Sequence, residues 1–577
     1  IIMDYQNIMK ELLNPSHSPA RSGKDLSQRK VFSCKAGQLL PILCEEMVPN
    51  DYFEIDTASL IRTFPLQTAA FLRARVHFDF FFVPKTAIWR NWDRFYSQRN
   101  DHETNYSRSF AYEPNITLQD ICEECGNGRI TYNNYGYLYG SREHTAKIAQ
   151  LLGYGKFGYA SPTDFGTGGQ YYAIKDKSLT ILPAMGYHRI YNFWYRNAWR
   201  DEPNQNDANM YSADSWDCSS YATSLFAANY PTTSSSQPSI FEMHYHSWAS
   251  DLFMSSLPNQ QFGSVSTIDV NGQTGFDKGR WLTDTGASII DNLNVITDSR
   301  GTLKENSSPA LLLQHDHLVA SQFDVMSLRK ALALQKWKEY NMRAGWKTRN
   351  QARAMFGVST PEDRKHEIEF LKGYEFPIMI DEVVSTNGAS GGNIAELAGK
   401  GIGVGNGELL KFNSGERHGY LYCIAYVLPQ AEYDATGIEK YLVRSEPFDH
   451  YVSAFENLGM EPIYKYELNA AGNAATFDSV LGYAPRYHEY KTRVDKVYGK
   501  FMAGNSLDSW VSVRRDLQYA ANTGYIPTNL YYCNPACLDS IFAQSVDFTE
   551  DTDQFILNVN ITDKAVRPMS DLGLPTL

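Results

Sequence analysis

A few residues in this chain have types and spacings that could do chemistry, and each can be weighed by what that chemistry needs. Cys122 and Cys125, like Cys533 and Cys537, are spaced as thiolate ligands of zinc are, yet neither pair has a matched second pair of cysteines or histidines. They read as ordinary thiols. His244 with His246, and His315 with His317, would each share one face of a strand, but no third ligand stands at a usable spacing. These read as structural histidines, so no metal site and no cofactor is expected. The run "GKGIGVGNG" carries glycines at 399, 401, 403, 405 and 407, which never satisfy G-x-G-x-x-G, and no Gly-Lys pair precedes Ser or Thr as a phosphate loop demands. Alternating glycines suit backbone that lies flat or bends where another chain comes close. No HExxH occurs. A pair of glycosidase carboxylates would leave no signature in sequence.

One charge pattern departs from the background. The chain has 53 Lys and Arg against 65 Asp and Glu, a net charge of −12, so any contact with nucleic acid must be local. Between Val325 and His366, ten Lys or Arg face only Glu339, Glu362 and Asp363. Trp337, Tyr340, Trp346 and Phe356 are interleaved with these cations. That mixture can follow a phosphate chain while stacking unpaired bases, or can pair with acidic neighbours at a subunit contact. A second basic stretch spans residues 14 to 35, with Arg21, Lys24, Arg29, Lys30 and Lys35 against Asp25. It reads as an extended arm.

The elements that must carry these residues are mostly strands. In "RARVHFDFFFVPKTAIWRNWDRF", Val76, Phe78, Phe80 and Phe82 share one face, and Phe81 and Val83 make the other apolar toward the end. Such a strand must be covered on both sides where it ends. Pro84 closes it, and Ile88, Trp92, Phe95 and Tyr96 then follow helical spacing. "YLYCIAYVL" (420–428) is half the length of a membrane helix and reads as a buried strand. "FILNVNI" alternates Phe555, Leu557, Val559 and Ile561 with polar residues. "VMSLRKALALQKWKEY" reads as a helix with Val325, Leu328, Ala331, Leu332 and Gln335 on one face, capped by Asp324. Residues 104–180 and 200–240 look like long loops or small excursions of a β framework, and no repeat is present.

Four segments follow: a basic arm (1–36), a β framework with long insertions (37–260), a polar insertion (261–310), and a basic helical segment leading into further strands (311–577). The polar insertion is too long for a plain connection and reads as a surface projection. Eight scattered cysteines do not make a disulfide framework. The stretch "IIMDYQNIMKELL" lacks the cleavage pattern of a signal peptide.

In chain order, "ARSGKDLS", "GQLLPILCEEMVPNDYFEI", "FDFFFVPKTAIWRNWDRF", "LPAMGYHRIYNFWYRN", "SLRKALALQKWKE", "FGVSTPEDR", "GYAPRYHEYK" and "RPMSDLGLP" resemble the major capsid proteins of microviruses, the small icosahedral single-stranded-DNA phages. The long insertion after "SSLPNQQFG" is similar to that of the spike-less, gokushovirus-like branches. The resemblance implies a mainly β fold, an eight-stranded antiparallel jelly-roll with long loop and helical insertions. It implies a non-enzymatic subunit that self-assembles into a T=1 icosahedral shell around circular single-stranded DNA. Implied partners are further copies of the chain, the genome, a small basic DNA-binding peptide, a pilot or minor virion protein, and a host surface receptor, without membrane insertion. Assembly in the bacterial cytoplasm would keep the thiols reduced. Arg21, Lys24, Arg29, Lys30, Trp337, Arg343, Trp346, Lys347, Arg349 and Arg353 are then the residues expected to meet DNA. The competing class is a secreted or cell-surface β-rich carbohydrate binder or glycoside hydrolase.

Overall fold

In the computed structural model the described residues are 20–97, 113–127, 142–197, 199, 240–263, 295–297, 303–305, 325–344, 353, 367–384, 397–470, 477–514, 516–517, 531–543 and 553–570. They fall in two compact units, Ile1–Pro258 with Thr360–Leu577, and Asn259–Ser359.

The first unit is mainly β. Its principal strands are β1 (Ser22–Asp25), β2 (Gln28–Cys34), β3 (Leu40–Met47), β4 (Tyr52–Thr63), β5 (Ala74–Pro84), β6 (Glu369–Pro377), β7 (Met379–Val384), β8 (Leu397–Asn406), β9 (Leu410–Asn413), β10 (Gly419–Pro429) and β11 (Phe555–Arg567). They pair into two antiparallel sheets. The larger runs β1-β11-β4-β8-β7, with β2 also on β11 and β9 also on β4, and the smaller runs β6-β5-β10-β3.

The period-two patterns place the core. In β11, Phe555, Leu557, Val559 and Ile561 are buried while Ile556 and Asn560 are exposed. β5 is buried on one face from Ala74 onward and on both faces from Phe80 to Pro84, as its spacing predicts. Its second face is covered by a helix Leu182–Ile190 that runs into a π-turn Tyr191–Tyr195. There Phe81 meets Trp194 at 6.0 Å, Tyr195 at 5.7 Å and Phe370 at 5.4 Å. β10 lies between β5 and β3 and is buried at every position. Each fully buried Phe or Leu contributes roughly 1.5–3 kcal/mol, so these two strands anchor the fold.

After Pro84 the helical stripe is broken in two. Short helices Lys85–Ile88 and Trp92–Ser97 flank Trp89, which is extended (φ −138°, ψ 118°) and fully buried. Turning the indole inward ends the first helix after one turn. Within 104–180, read from the sequence as loops, the described residues include helices Leu118–Asn127 and Arg142–Leu151. Their inward positions are Leu118, Ile121, Cys122, Cys125, Ala146, Ile148 and Ala149, small and large residues mixed over two short helices.

The alternating glycines lie on β8 and just beyond it, and at Gly403, Gly405 and Gly407 this chain's smaller sheet comes close. A Cβ on Gly405 would stand 2.2 Å from Cδ1 of Phe376, and one on Gly407 2.9 Å from the Tyr374 ring. The sheets also meet where Tyr374 hydrogen-bonds Thr57 and where Phe82 packs on Phe412 at 5.0 Å. Likewise the basic arm is extended, but residues 22–34 are paired strands. Ser22 faces Arg567 and Cys34 faces Phe555 across β11.

In the second unit, a helix Val325–Ala344 carries the basic-aromatic segment, and strands Val295–Thr297 and Leu303–Glu305 pair antiparallel within the polar insertion. Gln335 bonds Gln261, and Phe262 N donates to Lys338 O at 3.5 Å. Asp324 lies outside the described residues.

Candidate functional site

The basic residues of the arm sit at the edge of the larger sheet. Arg21 is exposed and donates from Nη2 to Asn50 O at 2.8 Å, and Lys24 lies on β1. Arg29, also exposed, donates from Nε to Asn558 Oδ1 at 2.7 Å. Burial pushes the Lys30 ammonium below its ordinary range, with Glu45 opposing. Of these four, Arg21 and Arg29 present charge to solvent and Lys30 is turned partly inward.

The helix Val325–Ala344 sorts its residues by face. Arg329, Lys330, Ala333, Lys336, Trp337, Tyr340 and Arg343 are exposed at i, i+3, i+4 and i+7 spacing, whereas Leu328, Ala331, Gln335, Lys338 and Met342 are wholly or partly buried. Leu332, placed with the buried set by the sequence pattern, is 61% exposed. Lys336 and Arg343 lie over the Tyr340 ring at 5.8 and 5.6 Å, and Trp337 is half exposed beside them. Cations flanking two accessible rings are the equipment for gripping a single strand by phosphate and base. Arg353 is exposed, and Trp346, Lys347 and Arg349 lie outside the described residues.

The histidine and cysteine groups resolve into packing. His244 turns to His188, with Nε2 at 2.7 Å from Nδ1, and stacks on Tyr191 at 3.8 Å rather than joining His246. Burial holds His244 well below its ordinary range and lowers His246 to about 4. His246 stacks on Tyr426, which stacks on His77. The seven described cysteines are thiols, with Cys44 pushed up by burial to about 12. Cys218, His315 and His317 lie outside the described residues.

Periodicity gave no sign of a further cluster, which three separate stretches build. Lys440 and Arg444 come from one turn, Glu461 and Glu467 from strand Met460–Tyr464 and helix Lys465–Leu468, and His488 and Glu489 from helix His488–Lys491. His488 Nε2 lies 2.8 Å from Glu467 Oε2, and its Nδ1 lies 2.8 Å from Glu461 Oε1. Lys440 Nζ is 3.0 Å from the same Glu461 oxygen, and Arg444 Nη2 is 2.5 Å from Glu489 Oε1. Burial opposes charge on His488, but the flanking carboxylates outweigh it and raise the imidazole to about 8. Burial also opposes charge on Glu461, yet His488 and Lys440 hold it down to about 2. A cavity of about 230 Å³ opens beside these groups, lined also by Arg486, Tyr466 and Tyr487. Among the described residues, Glu461, His488 and Glu489 are the group whose ligand atoms lie close enough to share an ion. The only signal in sequence is the density of charge and tyrosine in "PRYHEYK".

A family described as capsid protein (F protein) matches residues 14–120 and 157–575. The chain belongs to this capsid protein family. The relatives of the capsid chain include capsid protein VP1 of Chlamydia phage 1, 23% identical over 98% of this chain and 96% of the relative. Capsid protein VP1 of Bdellovibrio phage phiMH2K is 24% identical over 86% of this chain and 85% of that one. Capsid protein VP1 of Spiroplasma virus 4 is 21% identical over the same shares. The microvirus resemblance read from the motifs agrees with these matches, and the chain is a structural major capsid protein. Among the described residues no helix is long and apolar enough to cross a membrane.

Proposed function

We propose that this chain folds as an eight-stranded jelly-roll and closes, as copies of itself, into a T=1 icosahedral shell around a circular single-stranded DNA genome. The family match over nearly the whole length carries the shell-building role. Strand order supports the finer fold. Taking β2, β3, β4, β5, β6, β8, β10 and β11 as one to eight, the larger sheet contains the order 1-8-3-6 and the smaller is 2-7-4-5. Consecutive strands therefore change sheet at every step except four to five, which pair with each other, the interleaving of two Greek keys. Closed symmetry lets one chain type make every contact. The role is structural rather than enzymatic.

Within this reading, the exposed face of helix Val325–Ala344 and the exposed arginines of the sheet edge, Arg21 and Arg29, meet DNA sparsely and without sequence preference. With a net charge of −12, the subunit leaves most phosphate neutralisation to other cations, for which a small basic peptide is the natural source. The polar insertion (261–310) projects outward toward a host surface receptor, a pilot or minor protein completes the virion, and assembly takes place in the bacterial cytoplasm. Sizing of the purified chain tests the shell: a megadalton particle is expected, and a species that stays near 65.4 kDa under all conditions would refute it. Charge reversal at Arg329, Lys336 and Arg343 should lower the DNA content of particles several-fold while empty shells still form. Equal loss of both would assign that face to subunit contact.

A further inference from the structure

We propose that Glu461, His488 and Glu489 form a binding site for one divalent transition cation of the zinc class. The inference stands apart from shell building and concerns a site within one subunit. It rests on one sealed ligand atom and two close neighbours. Glu489 Oε2 is buried without a hydrogen-bond partner, and Glu489 and His488 are only 6% and 2% exposed. Glu461 Oε1 lies 2.8 Å from His488 Nδ1 as an ion pair. Leaving Glu489 Oε2 unmatched costs about 1–3 kcal/mol, and an ion bound there removes that cost.

The geometry suits an ion. The three ligand atoms lie within 4.8 Å of one another, and bonds of about 2.0–2.2 Å set ligands roughly 3.4 Å apart around a tetrahedral ion, so side-chain rotations of about an ångström or more close the set. Glu467 Oε2, 2.8 Å from His488 Nε2, supplies the outer carboxylate that fixes the ring and directs the Nδ1 lone pair inward, as metal-bound histidines require. Tyr487 just before them holds a left-handed backbone (φ 60°, ψ 39°), a strained conformation that turns His488 and Glu489 into the cluster. One imidazole nitrogen with two carboxylates favours zinc or manganese over calcium and magnesium, which prefer oxygen alone. Entry of the ion releases the proton that Nδ1 carries in its absence. It also shifts Lys440, whose side chain is 18% exposed, off Glu461 toward solvent.

The test uses the full-length chain, stripped with chelator and dialysed against micromolar Zn²⁺. Elemental analysis should find one zinc per chain, and X-ray absorption should show a shell of nitrogen and oxygen containing one imidazole and no sulfur. Glu489→Gln, with unchanged circular dichroism, should weaken zinc binding at least tenfold. Failure to retain stoichiometric zinc, native affinity in Glu489→Gln, or sulfur in the shell would each overturn the proposal, the last assigning the zinc to cysteine thiols. If Glu489→Gln does not fold, the absorption spectrum of the native chain decides alone. Particle size is read in parallel, so loss of zinc binding and loss of assembly are distinguished.

Discussion

Adding a single methyl group at Gly405 should strain the sandwich from inside. A Cβ there falls 2.2 Å from Cδ1, 2.3 Å from Cε1 and 2.6 Å from Cγ of Phe376. All are ring atoms, and the ring is itself packed on Phe78 at 6.0 Å, so it has no flexible end to withdraw. Overfilling a packed core costs about 1–3 kcal/mol. Replacing glycine also narrows the unfolded ensemble, which returns about 0.4–1 kcal/mol where the native backbone accepts alanine. The clash should win, leaving Gly405→Ala destabilised by about 1–2 kcal/mol. Gly23→Ala, with nothing within 4 Å of the new Cβ, serves as the control and should be neutral or better. Urea unfolding of dissociated subunits, followed by far-ultraviolet circular dichroism, reads both variants. Shrinking the neighbour in Gly405→Ala/Phe376→Leu should give a stability above the sum of the single effects, a positive coupling between touching residues. Native stability in Gly405→Ala, or strict additivity in the double variant, would refute the close approach of the two sheets at β8.

Acid should weaken the subunit through its buried histidines. Burial lowers His77, His244 and His246, with His246 at about 4 against an ordinary 6.5. The folded state thus binds fewer protons than the unfolded one below pH 6.5, and stability present above that pH is lost as pH falls toward 4. For His246 alone the loss is about 3 kcal/mol. His246→Phe, which keeps the stack on Tyr426, should flatten the decline in urea midpoint between pH 7 and 4.5, and an unchanged slope would remove His246 from the account. Arg514 is fully buried, donates two bonds to Asp516 at 3.0 and 2.9 Å, and lies 4.5 Å over Trp248. Arg514→Lys should lose the paired geometry and cost about 3 kcal/mol, checked by thermal unfolding, and a loss below 1 kcal/mol would argue against a dry site.

What could be read in the sequence follows from range. β5, β10 and β11 show themselves because strand alternation is local, and Phe81 and Val83 even announce the helix that covers them. The basic-aromatic helix is equally local, down to its exposed face, although Leu332 falls on the other side because helix burial depends on which neighbours arrive. The pairing of residues 22–34 with β11 was hidden, since an arm and an edge strand have the same extended pattern. The Glu461, His488 and Glu489 cluster was hidden more deeply. No spacing rule links residues from separate turns, and only folding brings their charges within reach.

The partnership of β11 with β1, β2 and β4 also sets a timetable. Cys34 and Phe555 are register partners that leave the ribosome 521 residues apart, which at about 5–20 residues per second is some 25–100 seconds. Through that interval β2 has no ladder partner, because among the described residues its only sheet neighbour is β11. The smaller sheet can close as soon as β10 emerges, but the larger one must wait. A chain released early would therefore carry an open-edged half-sandwich, and it would lack a finished larger sheet to offer a growing shell. Translation order thus makes closure of the larger sheet the last step in building the sandwich.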